Sequence, residues 1–503
     1  MSDDRSSGEP SESAGPGDGD GDGESGDGDG EPGDGDGEPG DGDGDGDGEP
    51  GDGDGDGEPD STECNPSAFI HAPAPVEIDG LSAVPIDILE LDAELSFDAT
   101  LATAQAQGTL TFQLGESGGM PILDLRQTPE LLLLDGQPLA NESLARHDFG
   151  VGLQAGFLIL EVALEPCSVH TLEFDYALAT PQAPQAAGLS FAQSPARAYF
   201  DLFATDLNPG RYLEAWLPAN MPWDRHPISL GVTLEQTEAA HALISNAAVD
   251  EVAPHDWQLE FPSTTTAMDP MLVLMPVDEL DSHTGVHMAA NGQAIPYAIH
   301  VDTQVATSAA VVATNVANYL DEFVLTLGDY VHPELTIYVY ATTRSMEYAG
   351  ATTSAVSALK HEIFHSWWAR GLSPASYADG WIDEGWATFN TGRMAFATPP
   401  FNWRMAPWQL RDPHPFARET PDSAYHQGRL VFAGLGNLMG LETLQAAMAE
   451  LYASAPLGSI TTAQLEQHLY CASGEQEDVR QAFHRFVYGL QDDAEPVPDG
   501  YCD

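Results

Sequence analysis

Positive charge is what this chain has least of. Among 503 residues there are 16 Lys and Arg against 80 Asp and Glu, a formal net charge of -64, and Lys360 is the single lysine. That balance argues against a nucleic-acid partner, because neutralising a phosphate backbone takes clustered Lys and Arg. No apolar run reaches the roughly 18 residues of a membrane-spanning helix. Met1 leads straight into Ser2, Asp3 and Asp4, without the basic and apolar regions of a secretory leader. Cysteine is scarce as well. Cys64, Cys167, Cys471 and Cys502 include no CxxC pair, which argues against a thiolate-held zinc and against thioredoxin chemistry. Either four buried thiols or two bridges fit. Cys64 with Cys167 and Cys471 with Cys502 would staple the start and the end of the folded part, and bridges need an oxidising compartment.

The acidity is concentrated. Residues 1–60 hold 24 of the 80 acidic residues, 21 of the 49 glycines and one basic residue. With almost no side chains to bury, this stretch cannot offset the entropy of ordering it, so residues 1–63 are expected to be a disordered linker. Its DGDGDG runs match the opening of a calcium loop, with Asp54 at position 12 counted from Asp43. Pro50 inside the loop and the absence of flanking helical sequence favour a flexible, weakly calcium-attracting spacer instead. A spacer of this kind ahead of a folded domain points to a secreted or envelope-associated protein, with an export signal upstream of Met1.

From 64 to 285 the sequence reads as short strands, such as 110–114, 131–134, 157–162 and 228–234, separated by Gly, Pro, Asn and Asp turns. An all-β sandwich or saddle-shaped sheet domain is expected. The period then changes. Val311, Val312, Val316, Tyr319, Leu320, Phe323 and Leu327 fall at helical spacing, and strand 335–340 follows. Helical patterns continue at 354–368, 381–396, 423–438, 441–452, 462–469 and 475–488. The chain is therefore read as multi-domain α+β: linker 1–63, β domain 64–285, and a mostly α domain 286–503.

His361-Glu362-Ile363-Phe364-His365 is an HExxH motif. On a helix, residues i and i+4 share a face, so both imidazoles can reach one zinc ion while Glu362 points towards the open coordination position. Eighteen residues separate His365 from Glu384, which opens the next helical stretch. Two His and a Glu leave the fourth position to water, as a catalytic zinc requires. In that arrangement Glu362 is the general base. Trp367 and Trp368, beside the second ligand, read as packing groups of the helix rather than a stacking platform.

The HExxH, the gap and the Glu resemble the gluzincin metallopeptidases, in detail the aminopeptidase N family. His365-Ser366-Trp367 resembles that family's HxxHQW, and Trp381-Ile382-Asp383-Glu384-Gly385-Trp386-Ala387 its WLNEGFA, with Asp383 at the Asn position. Leu217-Pro218-Ala219-Asn220 followed by Ser245-Asn246 is similar to its "PCxD … SNG" stretch. The resemblance covers about residues 70–490, strong around the zinc motif and faint elsewhere. It implies a thermolysin-like catalytic domain, one zinc ion and peptide substrates.

Further roles come by the same resemblance. Ser345-Met346-Glu347-Tyr348-Ala349-Gly350 resembles the GAMEN motif, which makes Glu347 the group that binds a substrate's free α-amine. Tyr348 departs from the Asn and Ser345 from the Ala. Tyr425-His426-Gln427-Gly428-Arg429 resembles YxKG(A/F), which makes the Tyr425 hydroxyl a stabiliser of the tetrahedral intermediate, with His426 as a rival donor. Only 78 residues follow Tyr425 where the family usually continues into a long helical domain, so a less covered cleft is expected. The HExFHxW segment with Arg370 and Pro374 also resembles the glycyl aminopeptidases. An endopeptidase or epoxide hydrolase on the same metal site, and a surface binding protein that inherited the fold, are the other readings.

Overall fold

A computed structural model gives the structure of residues 64–151, 156–180, 188–205, 207–208, 210–341, 344–492 and 494–502. The expected disordered linker 1–63 and the calcium-loop comparison at 43–54 lie outside these residues.

Residues 64–279 form the β part. Its largest sheet has eight strands, built around Ile86–Asp98 and Thr103–Leu114. Leu91, Ala93, Leu95 and Phe97 are buried while Glu90, Asp92 and Glu94 face water, the period-two alternation of a sheet with one wet face. Ile228–Glu235 runs parallel to Ile86–Asp98. A five-stranded sheet and a four-stranded sheet complete the part. Cys64 is bonded to Cys167 and Cys471 to Cys502.

Strand Leu280–Met288 opens a further five-stranded sheet with Ala294–Asp302, Leu335–Val339, Ala351–Ser354 and the edge strand Met346–Tyr348. Seven helices surround it among the described residues: α1 (Ala309–Thr326), α2 (Leu359–Phe364), α3 (Trp381–Thr391), α4 (Arg429–Met439), α5 (Leu441–Ser454), α6 (Thr462–Ala472) and α7 (Glu477–Phe486). α1 buries Val312, Val316, Leu320 and Phe323 on the sheet, as its spacing predicts, but Val311, counted in the same stripe, lies on the wet face, exposed. None of the helices is long and apolar enough to cross a membrane.

Three expected helices are cut short, the stretch 381–396 ending as α3 at Thr391. Residues 354–368 were expected to be one helix, but Ser354 ends a strand and α2 has only six residues. Thr352 and Thr353 are β-branched and pair with Ile337 and Tyr338, which holds them in the sheet. The 423–438 stretch opens with a π turn, Ala424–Gly428, before α4.

The β part and the helical part share a core in which Ile244, Met271 and Val273 pack with Tyr338, Met346 and Tyr348. Asn246 Nδ2 donates to the carbonyls of Asp269 at 2.9 Å and Ala349 at 2.7 Å. The β part thereby fixes the loop just after Glu347.

Candidate metal centre

α2 and α3 bring the donors together, and each is anchored from outside the site. Lys360 Nζ donates to both carboxylate oxygens of Glu322 on α1 at 2.7 Å. Phe364 and Trp367 pack edge-on against Phe323, and Trp367 Nε1 donates to the Gly328 carbonyl at 2.9 Å. Trp367 and Trp368 are fully buried, so both are core groups. On the α3 side, Trp381 Nε1 donates to Thr462 Oγ1, which donates in turn to Asp379.

His361 Nε2 lies 3.2 Å from Glu384 Oε2 and 3.2 Å from His365 Nε2, and His365 Nε2 lies 3.7 Å from Glu384 Oε2. A tetrahedral ion with bonds of about 2.0–2.1 Å has ligand–ligand edges of roughly 3.3–3.4 Å. The triangle has the size such an ion needs. The tautomers agree with it. His365 Nδ1 is 2.9 Å from the Trp368 carbonyl, which only accepts, so Nδ1 carries the proton and the Nε2 lone pair faces the triangle. Thr391 Oγ1 donates to the Ala387 carbonyl, which leaves its oxygen to accept from His361 Nδ1 at 3.1 Å. Burial pushes His361 down to about 4, with Glu347 opposing, so its ring is neutral at neutral pH. Burial, then the His361 ring, depresses His365 further. The arrangement fits a His2Glu zinc. The His361 side chain is 22% exposed while those of His365 and Glu384 are 0% and 3%, so His361 marks the open side.

Glu362 is buried, one residue past His361 on α2. Tyr425 is half-buried in the π turn, its ring centroid 6.3 Å from that of His361 with planes 23° apart. His426 is exposed. A glycine pair sets this approach: a Cβ on Gly428 would stand 2.9 Å from Gly385 Cα, and one on Gly385 would stand 2.9 Å from Gly428 Cα. Only two glycines let the π turn lie this close to α3, beside Glu384.

Glu347 sits on the edge strand, opposite Thr352. Its carboxylate accepts from Arg370 Nη2 at 3.0 Å, and both side chains are buried. Burial opposes the Arg370 charge, yet Glu347 and further acidic neighbours raise its pKa above the ordinary arginine value. Ligand atoms of Glu347, His365 and Asp383 all lie within 4.8 Å of one another. Of the residues read from the sequence, His361, His365, Glu384 and Glu347 therefore belong to one neighbourhood, with the Tyr425 ring beside His361 and with Glu362 on the same short helix, which His365 caps. Two contributors had escaped that reading. Thr391 follows Glu384 by two helical turns on the same face, a spacing that signals it. Nothing in the sequence pairs Arg370 with Glu347.

No protein-family profile matches the chain, and no curated protein matches it by sequence. Solved structures do. A two-domain M1 zinc metallopeptidase bound to L-arginine, in mutant form, is 18% identical with a TM-score of 0.56, over 82% of this chain and 96% of that one. The M1 zinc metallopeptidase of Deinococcus radiodurans is 17% identical with a TM-score of 0.58, over the same 82% and 96%. Aminopeptidase A of Legionella pneumophila, in complex with aspartic acid, is 13% identical with a TM-score of 0.62, over 80% of this chain and 50% of that one. The chain has the fold of the M1 zinc metallopeptidases, a large β part followed by a helical part.

Proposed function

We propose that the chain is a zinc-dependent metallopeptidase, and within that class an aminopeptidase that removes N-terminal residues from peptides. The observation that carries the reading is the triangle of His361, His365 and Glu384, with donor separations of 3.2, 3.2 and 3.7 Å. Bound there, zinc supplies Lewis acidity, polarising a carbonyl and lowering the pKa of a water at its open position to about 7. The remaining chemistry belongs to the chain. Glu362 takes a proton from the attacking water and passes it to the leaving amine. The Tyr425 hydroxyl donates to the carbonyl oxygen as negative charge develops on it. Glu347 accepts from the N-terminal ammonium of the substrate.

The M1 zinc metallopeptidases that share the fold, one of them crystallised with a Tyr-Ser-Ala substrate, support peptides as the substrate class. Two disulfides support a secreted or envelope-associated location. One observation favours a second reading. Glu347 is already engaged by Arg370 at 3.0 Å, and a carboxylate so occupied grips an amine less firmly, which favours a glycyl-aminopeptidase-type or endopeptidase action. The test compares unblocked aminoacyl fluorophores with N-acetylated ones, with and without chelator, beside zinc analysis. One zinc per chain and chelator-sensitive release from unblocked substrates alone is the expected result. Equal release from acetylated substrates selects the endopeptidase reading. A folded chain that takes up no zinc ends both, and leaves a binding protein on an inherited fold.

A further inference from the structure

We infer that a cavity between the β part and the helical part is a second ligand site, built for a small zwitterion, a free α-amino acid. Arg225, Phe261 and Asp269 line it from the β part, and Val331, Arg370 and Leu457 from the helical part. Its volume is about 340 Å³. One water claims about 30 Å³, so the space is that of a small organic molecule rather than of a single ordered solvent.

The polar groups on this cavity are only partly used. The Thr266 N–H donates to Asp269 Oδ2 at 2.6 Å, while Asp269 Oδ1 is buried with no hydrogen-bond partner among the described residues. Arg370 donates from Nη2 to Glu347, and its Nε–H is buried and unpartnered in the same way. Asp269 and Arg370 are 4% and 2% exposed, so neither group is turned out to open water. Arg225 donates to the carbonyls of Thr264 and Gly458 and to Ser459 Oγ, all of them neutral acceptors. An unused acceptor and two guanidinium donors thus meet one space, and buried polar groups without partners are costly. A ligand ammonium answers Asp269 Oδ1, and a ligand carboxylate answers the guanidinium groups. An α-amino acid carries both. Phe261, Val331 and Leu457 supply apolar wall for an aliphatic side chain. Neither Asp269 nor Arg225 belongs to the metal centre, so this site stands whether or not the chain is an aminopeptidase.

Calorimetric titration of L-leucine into the zinc-loaded full-length chain, and into the same chain after chelation, tests this. One molecule bound per chelated chain is expected, and the zinc-loaded chain should retain that binding event. Asp269→Asn keeps an acceptor for the Thr266 N–H and removes the carboxylate oxygen that takes the ammonium. It should weaken binding about tenfold or more, the size of a hydrogen bond to a charged group. Isoamylamine, which lacks the carboxylate, and isocaproate, which lacks the amine, should each bind about tenfold more weakly than L-leucine. Ala248→Trp fills the cavity from an exposed lining position and is the second variant if Asp269→Asn folds poorly. Binding to the zinc-loaded chain alone would put the amino acid at the metal centre and overturn the inference. No binding, equal affinity for either analogue, or an affinity that both variants leave intact overturns it as well.

Discussion

At the scale of single residues, the proposed mechanism gives separate tasks to Glu362 and Tyr425, and separate losses should follow. Glu362 is buried on α2 and is not one of the three triangle donors. Glu362→Gln should therefore keep full zinc content and lower turnover by about 10²–10⁴, the usual contribution of a positioned base. Atomic absorption beside an initial-rate assay checks it, and a variant of undiminished rate would remove Glu362 from the mechanism. Tyr425→Phe takes away one donor and leaves the ring packed over His361. A fall of about 10²–10³ in kcat with little change in KM is expected. Equal losses from His426→Ala would shift the role to its neighbour. The residues read from spacing alone are those whose spacing is itself chemical, i and i+4 on one helix and then a carboxylate on the next, while Glu347 and Tyr425 needed the motif resemblance. Arg370 could not be read that way, since its partner Glu347 lies on a strand that only the tertiary fold brings near.

At the scale of elements, the site depends on how closely α3 and the π turn before α4 approach. Gly428→Ala places a Cβ 2.9 Å from the Gly385 Cα, backbone against backbone, with no flexible side chain to give way. Overpacking of this kind costs about 1–3 kcal/mol, partly offset by the ~1 kcal/mol that Ala gains over Gly in helical structure. The variant should melt a few degrees lower and lose kcat through displacement of Tyr425, while binding zinc as before. Thermal unfolding with a parallel rate assay tests this, and a variant of raised stability and full rate would show that the glycine contact does not position the tyrosine. The same elements show where periodicity misleads. An apolar pattern over 354–368 reads as one helix because the short helix buries Leu359, Ile363 and Phe364 at helical spacing, and the wholly buried strand ends just before it. The boundary is set by Thr352 and Thr353 pairing with Ile337 and Tyr338, partners the local sequence does not contain. After His365 the chain also reverses sharply, with Ala369 at φ +125°, a conformation that sequence pattern gives no reason to expect at an alanine.

At the scale of the whole molecule, the β part and the helical part are joined by a buried charge cluster in which Asp124 and Glu214 face Arg418, with Arg126, Arg146 and Arg211 nearby. Arg418, from the segment before the π turn, pairs with Asp124 and lies 3.9 Å from Glu214, both in the β part. Two carboxylates compete for that guanidinium. Burial, and then the Asp124 charge, push Glu214 up from the ordinary 4.5 to about 7, with Arg418 opposing. The sign follows from linkage. Between about 4.5 and 7 the unfolded chain has released this proton and the folded chain still holds it, so rising pH favours unfolding across that window. One such proton contributes a slope of at most about 1.4 kcal/mol per pH unit. Asp124 and Asp224 are raised by burial too and act in the same direction, while the buried His226 and His332, whose pKa values burial lowers, act in the opposite one, so the contribution of Glu214 is read from the difference between wild type and a variant. Glu214→Gln isolates the contribution of one group, because the amide oxygen still accepts from the Tyr212 N–H that Glu214 Oε1 now holds at 3.1 Å. From pH 5 to pH 8 the denaturant midpoint of the variant should rise relative to that of the wild type, and at pH 8 the variant should be the more stable of the two. Parallel curves would mean that Glu214 is already ionised in the folded chain, and that Arg418 holds both carboxylates charged at the junction.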